Sequence, residues 1–208
     1  MSAIKLIRML AWAAVVALAA AAGLAALGIR PGSVDPGSFD ASKLPFAAQV
    51  GGPFTLTSHE GKRVSNTDFA GKPFALFFGF TNCPDVCPTT LLELTNRLKE
   101  LGPDGDKLRI VFVTIDPEQD TPAFLKTYLE NFDARILGLT GTAVEIAAVA
   151  KAYRAFYQKV PTSTGYTMNH EAAVYLMNDN GRFVGTISHQ EPADAQRAKL
   201  KRLVAPAG

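Results

Sequence analysis

Cys83 and Cys87 are the only two cysteines in a chain of 208 residues. They stand four positions apart in GFTNCPDVCPTT, residues 79–90, and Pro84 and Pro88 follow directly behind them. Two thiols cannot build a disulfide framework, so the choice lies between an inert pair, redox chemistry and metal binding. Pro88 suits a first helical position and restrains the residue before it. The stretch therefore predicts a rigid turn from Cys83 to Cys87 that leads into a helix from about Pro88. The positive end of a helix dipole favours thiolate, so both sulfurs can act as anions aimed at one point. Their gap is wider than that of a thioredoxin-type redox pair. Two sulfurs rarely suffice for a soft metal ion, and a third ligand must come from elsewhere.

The chain has three histidines to offer. His59 falls in a hairpin turn before Glu60 and Gly61, and His189 follows the last strand in SHQEPAD; both read as solvated. His170, in GYTMNHEAAVYLMNDNGRFVG, comes after the polar loop PTSTG and just before a strand of the central sheet. An isolated histidine there is ordinarily structural, but a thiol pair in the same chain makes His170 the candidate third ligand. Asp116 opens DPEQDTP. It either biases the charge of the site or hydrogen-bonds the histidine, or else simply ends a strand in an Asp-Pro turn. Met168 reads as apolar packing, and Phe77, Phe78 and Phe80 as core that dries the sulfur surroundings.

These residues need elements to position them. PFTLTSHEGKRVS predicts a hairpin, and FALFFGF (74–80) and LRIVFVTI (108–115) predict strands buried on both faces. Leu91, Leu94, Leu98 and Leu101 recur at helical spacing behind the cysteines, and Thr90 with Glu93 fits a capping box. Thr121-Pro122 opens a second helix, RILGLTG gives a third strand, and Thr142 with Glu145 caps a third helix. Residues 172–188 form two strands around Asn-Asp-Asn-Gly, and a helix over about 192–203 closes the chain. Strands alternating with helices, then a hairpin and a helix, specify an α/β sandwich around a mixed sheet. Loops after parallel strands gather on one edge, which places Cys83, Cys87 and Asp116 together.

Lys5 and Arg8 precede residues 9–29, a run without a charged side chain. Such a run spans a bilayer as a helix, and the positive charges before it direct the remainder of the chain to the far side. The expected organisation is a membrane anchor over 1–29, or a cleaved signal peptide, then a Gly/Pro/Ser/Asp tether over 30–45 and one domain over 46–208. A net charge of +2 without a basic stripe excludes nucleic-acid binding as a function.

FGFTNCPDVCPTTL, VFVTIDPEQDTP and YTMNHEAAVYLMNDNGRFVG, in that order and behind one apolar span, resemble the Sco/SenC family of membrane-anchored copper chaperones. The similarity covers roughly residues 46–203. It implies a thioredoxin-like fold, copper as the metal, and Cys83, Cys87 and His170 as its ligands, with Asp116 on an acidic supporting position. It further implies delivery to the dinuclear copper centre of cytochrome c oxidase. The lack of an Arg- and Ser-rich leader points to a bacterial envelope, so the expected place is the periplasmic face of the inner membrane. The expected partners are the copper-site subunit of the oxidase and another periplasmic copper chaperone. Two thiolates suit Cu(I), and an imidazole admits Cu(II). Asn169 and Glu171 depart from the family's usual Asp and small hydroxyl residue beside the histidine, and leave the imidazole in place. The alternative function is thiol–disulfide oxidoreduction, which would reduce the oxidase subunit's cysteines before metallation. A peroxidase would need a lone peroxidatic cysteine, and structural zinc four ligands.

Overall fold

The computed structural model describes residues 50–205. The anchor expected over 1–29 and the tether over 30–45 lie outside the described residues. Among the described residues, no helix is long and apolar enough to cross a membrane.

Three parallel strands form the centre: β3 (Phe74–Gly79), β4 (Arg109–Thr114) and β5 (Ile136–Thr140). Every residue of β3 is buried, as is all of β4 after Arg109, which is why both read as continuous apolar runs. An N-terminal hairpin, β1 (Thr55–Ser58) and β2 (Arg63–Ser65), adds antiparallel to β5. Gly61 takes a positive φ of 79° in its turn. On the other side, β8 (Ala173–Met177) runs antiparallel to β3 and carries β9 (Phe183–Ser188). The seven strands order β2-β1-β5-β4-β3-β8-β9, the mixed sheet that the sequence predicts.

Among the described residues, four α-helices accompany the sheet: α1 (Val86–Glu100), α2 (Pro122–Leu129), α3 (Ala143–Tyr153) and α4 (Ala193–Val204). Thr121 caps α2, its hydroxyl accepting from Phe124 N–H, and Thr142 with Glu145 forms the expected capping box on α3. The apolar spacing of α1 buries Leu91, Leu94 and Leu98. Each such side chain contributes about 1.5–3 kcal/mol relative to exposure.

Two local expectations fail. Helix α1 begins at Val86, so Cys87 lies inside its first turn, and Thr90 with Glu93 lies within the helix and does not cap it. The first helical bond runs from Thr89 N–H to the Asp85 carbonyl. Pro88 thus lacks an N–H only where a helix has no acceptor to offer, and the chain can coil two residues earlier. The loop expected before His170 is instead a second hairpin, β6 (Tyr157–Thr162) with β7 (Gly165–His170). It forms a two-stranded sheet of its own, apart from the seven-stranded one.

Candidate metal centre

Cys83 and Cys87 leave the C-terminal end of β3, and His170 ends β7. Sequence separation notwithstanding, one ligand atom from each lies within 4.8 Å of the others. No other cluster of metal-capable side chains occurs among the described residues. Cys87 is fully buried while Cys83 and His170 are partly exposed, so the sulfur of Cys87 forms the floor and the other two form the rim. An open cleft of roughly 260 Å³ leads to it, lined among others by Phe80, Pro84, Met168 and His170.

The helix start orders the sulfurs. The backbone N–H of Cys87, in the first turn of α1, donates to Cys83 Sγ at 3.4 Å. Gly79 gives the second sulfur room: a Cβ there would stand 3.0 Å from Cys87 Sγ and 2.7 Å from Phe112. Cys83 is held far below the usual thiol range, chiefly by the hydrogen bond from the Cys87 side chain, with smaller help from backbone N–H groups at the start of α1. Cys87 is pushed up, by that same bond and by burial. In the metal-free pair the structure favours the anion at Cys83 and the proton at Cys87, so the two sulfurs titrate together as a pair. No disulfide joins the two.

The imidazole is oriented from behind. His170 Nδ1 lies 3.0 Å from the Glu171 carbonyl, which can only accept, so Nδ1 carries the proton and Nε2 presents its lone pair. Nε2 lies 3.4 Å from Cys87 Sγ. This support comes from a backbone carbonyl and does not use the Glu171 side chain. Phe77 and Phe80 pack on the ring, the latter edge-on at 5.9 Å, as the drying role of this aromatic run requires. Met168 is buried in the core, consistent with packing.

The remaining candidates fall elsewhere. His59 is not simply solvated: its Nδ1 accepts from Gly138 N–H at 3.1 Å and ties the first hairpin to β5. His189 is half-buried against the Thr90 hydroxyl, 3.5 Å away. Asp116 follows β4 on the same edge as the cysteines, but it does not bond His170. Its carboxylate, only 4% exposed, accepts from the Tyr166 hydroxyl at 3.0 and 3.1 Å.

Sequence reasoning missed Asp120. This carboxylate is fully buried and accepts from Thr81 N–H, the Thr81 hydroxyl and the Thr114 hydroxyl. It thereby stitches the turn that bears the thiols to the end of β4. Burial raises its pKa, and its charge adds to the forces raising that of Cys87. A buried acid in DPEQDTP cannot be told from a turn or capping residue without its partners.

The SCO1/SenC family profile matches residues 42–205, most of the chain. The chain belongs to the SCO1/SenC family. The mitochondrial SCO2 homologue of Bos taurus is 37% identical over 163 residues, covering 76% of this chain and 61% of the bovine protein. The chain thus spans less than two-thirds of that relative's length. The structure of Bradyrhizobium japonicum ScoI with copper bound is 46% identical, with a TM-score of 0.70 over 74% of this chain and 99% of ScoI. BsSco, described as having a disulfide switch and as a Sco-family member among cytochrome c oxidase assembly proteins, is 28% identical. Its TM-score is 0.62 over 76% of this chain and 94% of BsSco. The SCO1/SenC chain described here shares with them the thioredoxin-like sheet and flanking helices.

Proposed function

We propose that this chain binds one copper ion at Cys83, Cys87 and His170 and delivers it to the copper-site subunit of cytochrome c oxidase. The domain would work on the periplasmic side of the inner membrane, held there by the apolar segment over residues 9–29. Copper is its cargo. The observation that carries this reading is the convergence of two sulfurs and one imidazole nitrogen within 4.8 Å, supplied by segments more than eighty residues apart. Thiolates favour Cu(I), and the imidazole extends the site to Cu(II). Three donors on an open cleft leave a position for a ligand from the acceptor, so transfer can proceed by ligand exchange without free ion. Asp120 ties the turn that carries Cys83 to the end of β4, and Asp116 accepts from Tyr166 of the hairpin that carries His170. The copper bound by Bradyrhizobium japonicum ScoI supports this choice of metal.

Titration of the reduced protein tests it. One equivalent of Cu(II) should produce an intense sulfur-to-copper charge-transfer band. His170→Ala should abolish that band and weaken Cu(II) far more than Cu(I), which the two sulfurs retain. Unchanged Cu(II) affinity in the variant removes His170 from the site.

A second reading is supported by the unequal thiols. Cys83, partly exposed and ionised, can attack a disulfide in the oxidase subunit, forming a mixed disulfide and releasing one partner thiolate. Cys87 then attacks Cys83, its proton passes to the second departing sulfur, and two electrons have moved to the partner. The disulfide switch described for BsSco fits this chemistry. Cys87→Ser should trap the mixed disulfide; failure to capture an oxidase cysteine rejects the reductase role.

A further inference from the structure

The hairpin that carries His170 is joined by backbone to α3 and β8 at its base, next to His170, and beyond that base only side chains hold it to the domain. Strand β7 pairs with β6 alone and has no place in the seven-stranded sheet. Along β7, Tyr166, Met168 and His170 alternate onto one face, the period-two rule of a strand. All three make contact beneath it. His170 meets Cys87, Phe77 and Phe80 at one end. Met168 is buried in the middle. Tyr166, at the far end, donates its hydroxyl to the carboxylate of Asp116 in the loop after β4. Lys159 of β6 lies 3.8 Å above the Tyr166 ring and 2.7 Å from Glu118 in that same loop. The lysine clasp is exposed and screened by solvent, whereas the Asp116 carboxylate is almost wholly buried, so the Tyr166 bond is the one expected to hold.

We propose that Tyr166 and Asp116 are positioning residues for the metal site: their hydrogen bond anchors the far end of β7 and so fixes where His170 presents Nε2 to the sulfurs. Asp116 acts through the tyrosine and lies outside the cluster of three ligands. The two sulfurs, seated on the turn after β3 and the first turn of α1, keep their places whether or not the anchor is made. The anchor therefore separates the imidazole from the thiols and governs Cu(II), which needs the nitrogen, more than Cu(I). This rests on the reading of Cys83, Cys87 and His170 as one copper site.

The test uses the full-length chain and its variants Tyr166→Phe, Asp116→Ala and Asp116→Asn. The phenylalanine keeps the ring under Lys159, and an asparagine oxygen still accepts from the hydroxyl. In metal-free protein, amide hydrogen exchange over Thr167–His170 should quicken about tenfold or more in Tyr166→Phe and Asp116→Ala, with β3 and β4 unchanged. With copper ions as probes, both variants should weaken Cu(II) by about tenfold and lose nitrogen coupling in the electron paramagnetic resonance spectrum, with Cu(I) affinity kept within about threefold. Asp116→Asn should resemble the wild type in both measurements. Wild-type protection and Cu(II) affinity in Tyr166→Phe overturn the proposal. So does equal loss in Asp116→Asn and Asp116→Ala, which would assign Asp116 a role through its charge. A wild-type chain that binds no Cu(II) overturns the copper reading, and the exchange measurement still decides the anchor.

Discussion

Cys83 and Cys87 begin with the same intrinsic acidity, and the fold drives them apart. The exposed sulfur accepts hydrogen bonds from the Cys87 thiol and from N–H groups at the start of α1, all of which favour its anion. The buried sulfur holds the remaining proton in apolar surroundings. Nucleophilicity tracks the thiolate. Iodoacetamide should therefore label Cys83 first, and the rate should hold nearly level from pH 8 to 5, where an ordinary thiol slows about tenfold per unit. The depressed pKa sets the sign: the anion persists until pH falls through the lowered value. Cys87→Ala removes the main donor, so the pKa of Cys83 should rise and its labelling at pH 6 should slow by about tenfold or more. Peptide mass spectrometry reads both. Equal labelling of the two cysteines, or a Cys87→Ala variant with wild-type pH dependence, would contradict the shared proton.

The elements around the sulfurs are packed to close tolerance, and β3 shows it best. Its last residue, Gly79, faces Phe112, Cys87 Sγ and the Phe77 ring at 2.7, 3.0 and 3.2 Å from any Cβ added there. None of these neighbours is a free side-chain end that can swing away. Gly79→Ala should cost about 1–3 kcal/mol, seen as a lower urea midpoint, and should displace Cys87 enough to weaken Cu(I) binding. An unchanged midpoint would mean the strand yields easily. The same packing explains what was legible. Strands β3 and β4, buried on both faces, write themselves as continuous apolar runs; Thr142 and Glu145 mark a helix start by local chemistry alone. Cys83, Cys87 and His170 were readable because so few residues of their type exist in the chain. Hairpin β6–β7 was not, since most of β6 faces solvent and leaves no apolar alternation. Nor were the partners of Asp116 and Asp120, which lie 50 and 39 residues away at Tyr166 and Thr81. The alternation of Tyr166, Met168 and His170 was the one available hint of a strand.

Across the domain, the donors come from segments far apart in sequence. The sulfurs belong to the turn after β3 and the first turn of α1, and the imidazole to the base of a hairpin outside the seven-stranded sheet. An ion bridging them must add to the stability of the assembled state, because the unfolded chain brings no such trio together. Free copper at about a hundred times its dissociation constant stabilises the native state by about 2.7 kcal/mol. For a domain of this size that corresponds to a rise in Tm of about 5–10 °C. Cu(I), held by the sulfurs alone, should give its rise in both wild type and His170→Ala, whereas Cu(II) should give it only in the wild type. Calorimetry on the two proteins with each ion separates the cases. Cu(II) should also slow amide exchange in β6 and β7, since only through His170 can the ion reach the hairpin. If Cu(II) protects His170→Ala as fully as the wild type, the ion is seated on the sulfurs and the hairpin is a bystander, whatever its position in the metal-free protein.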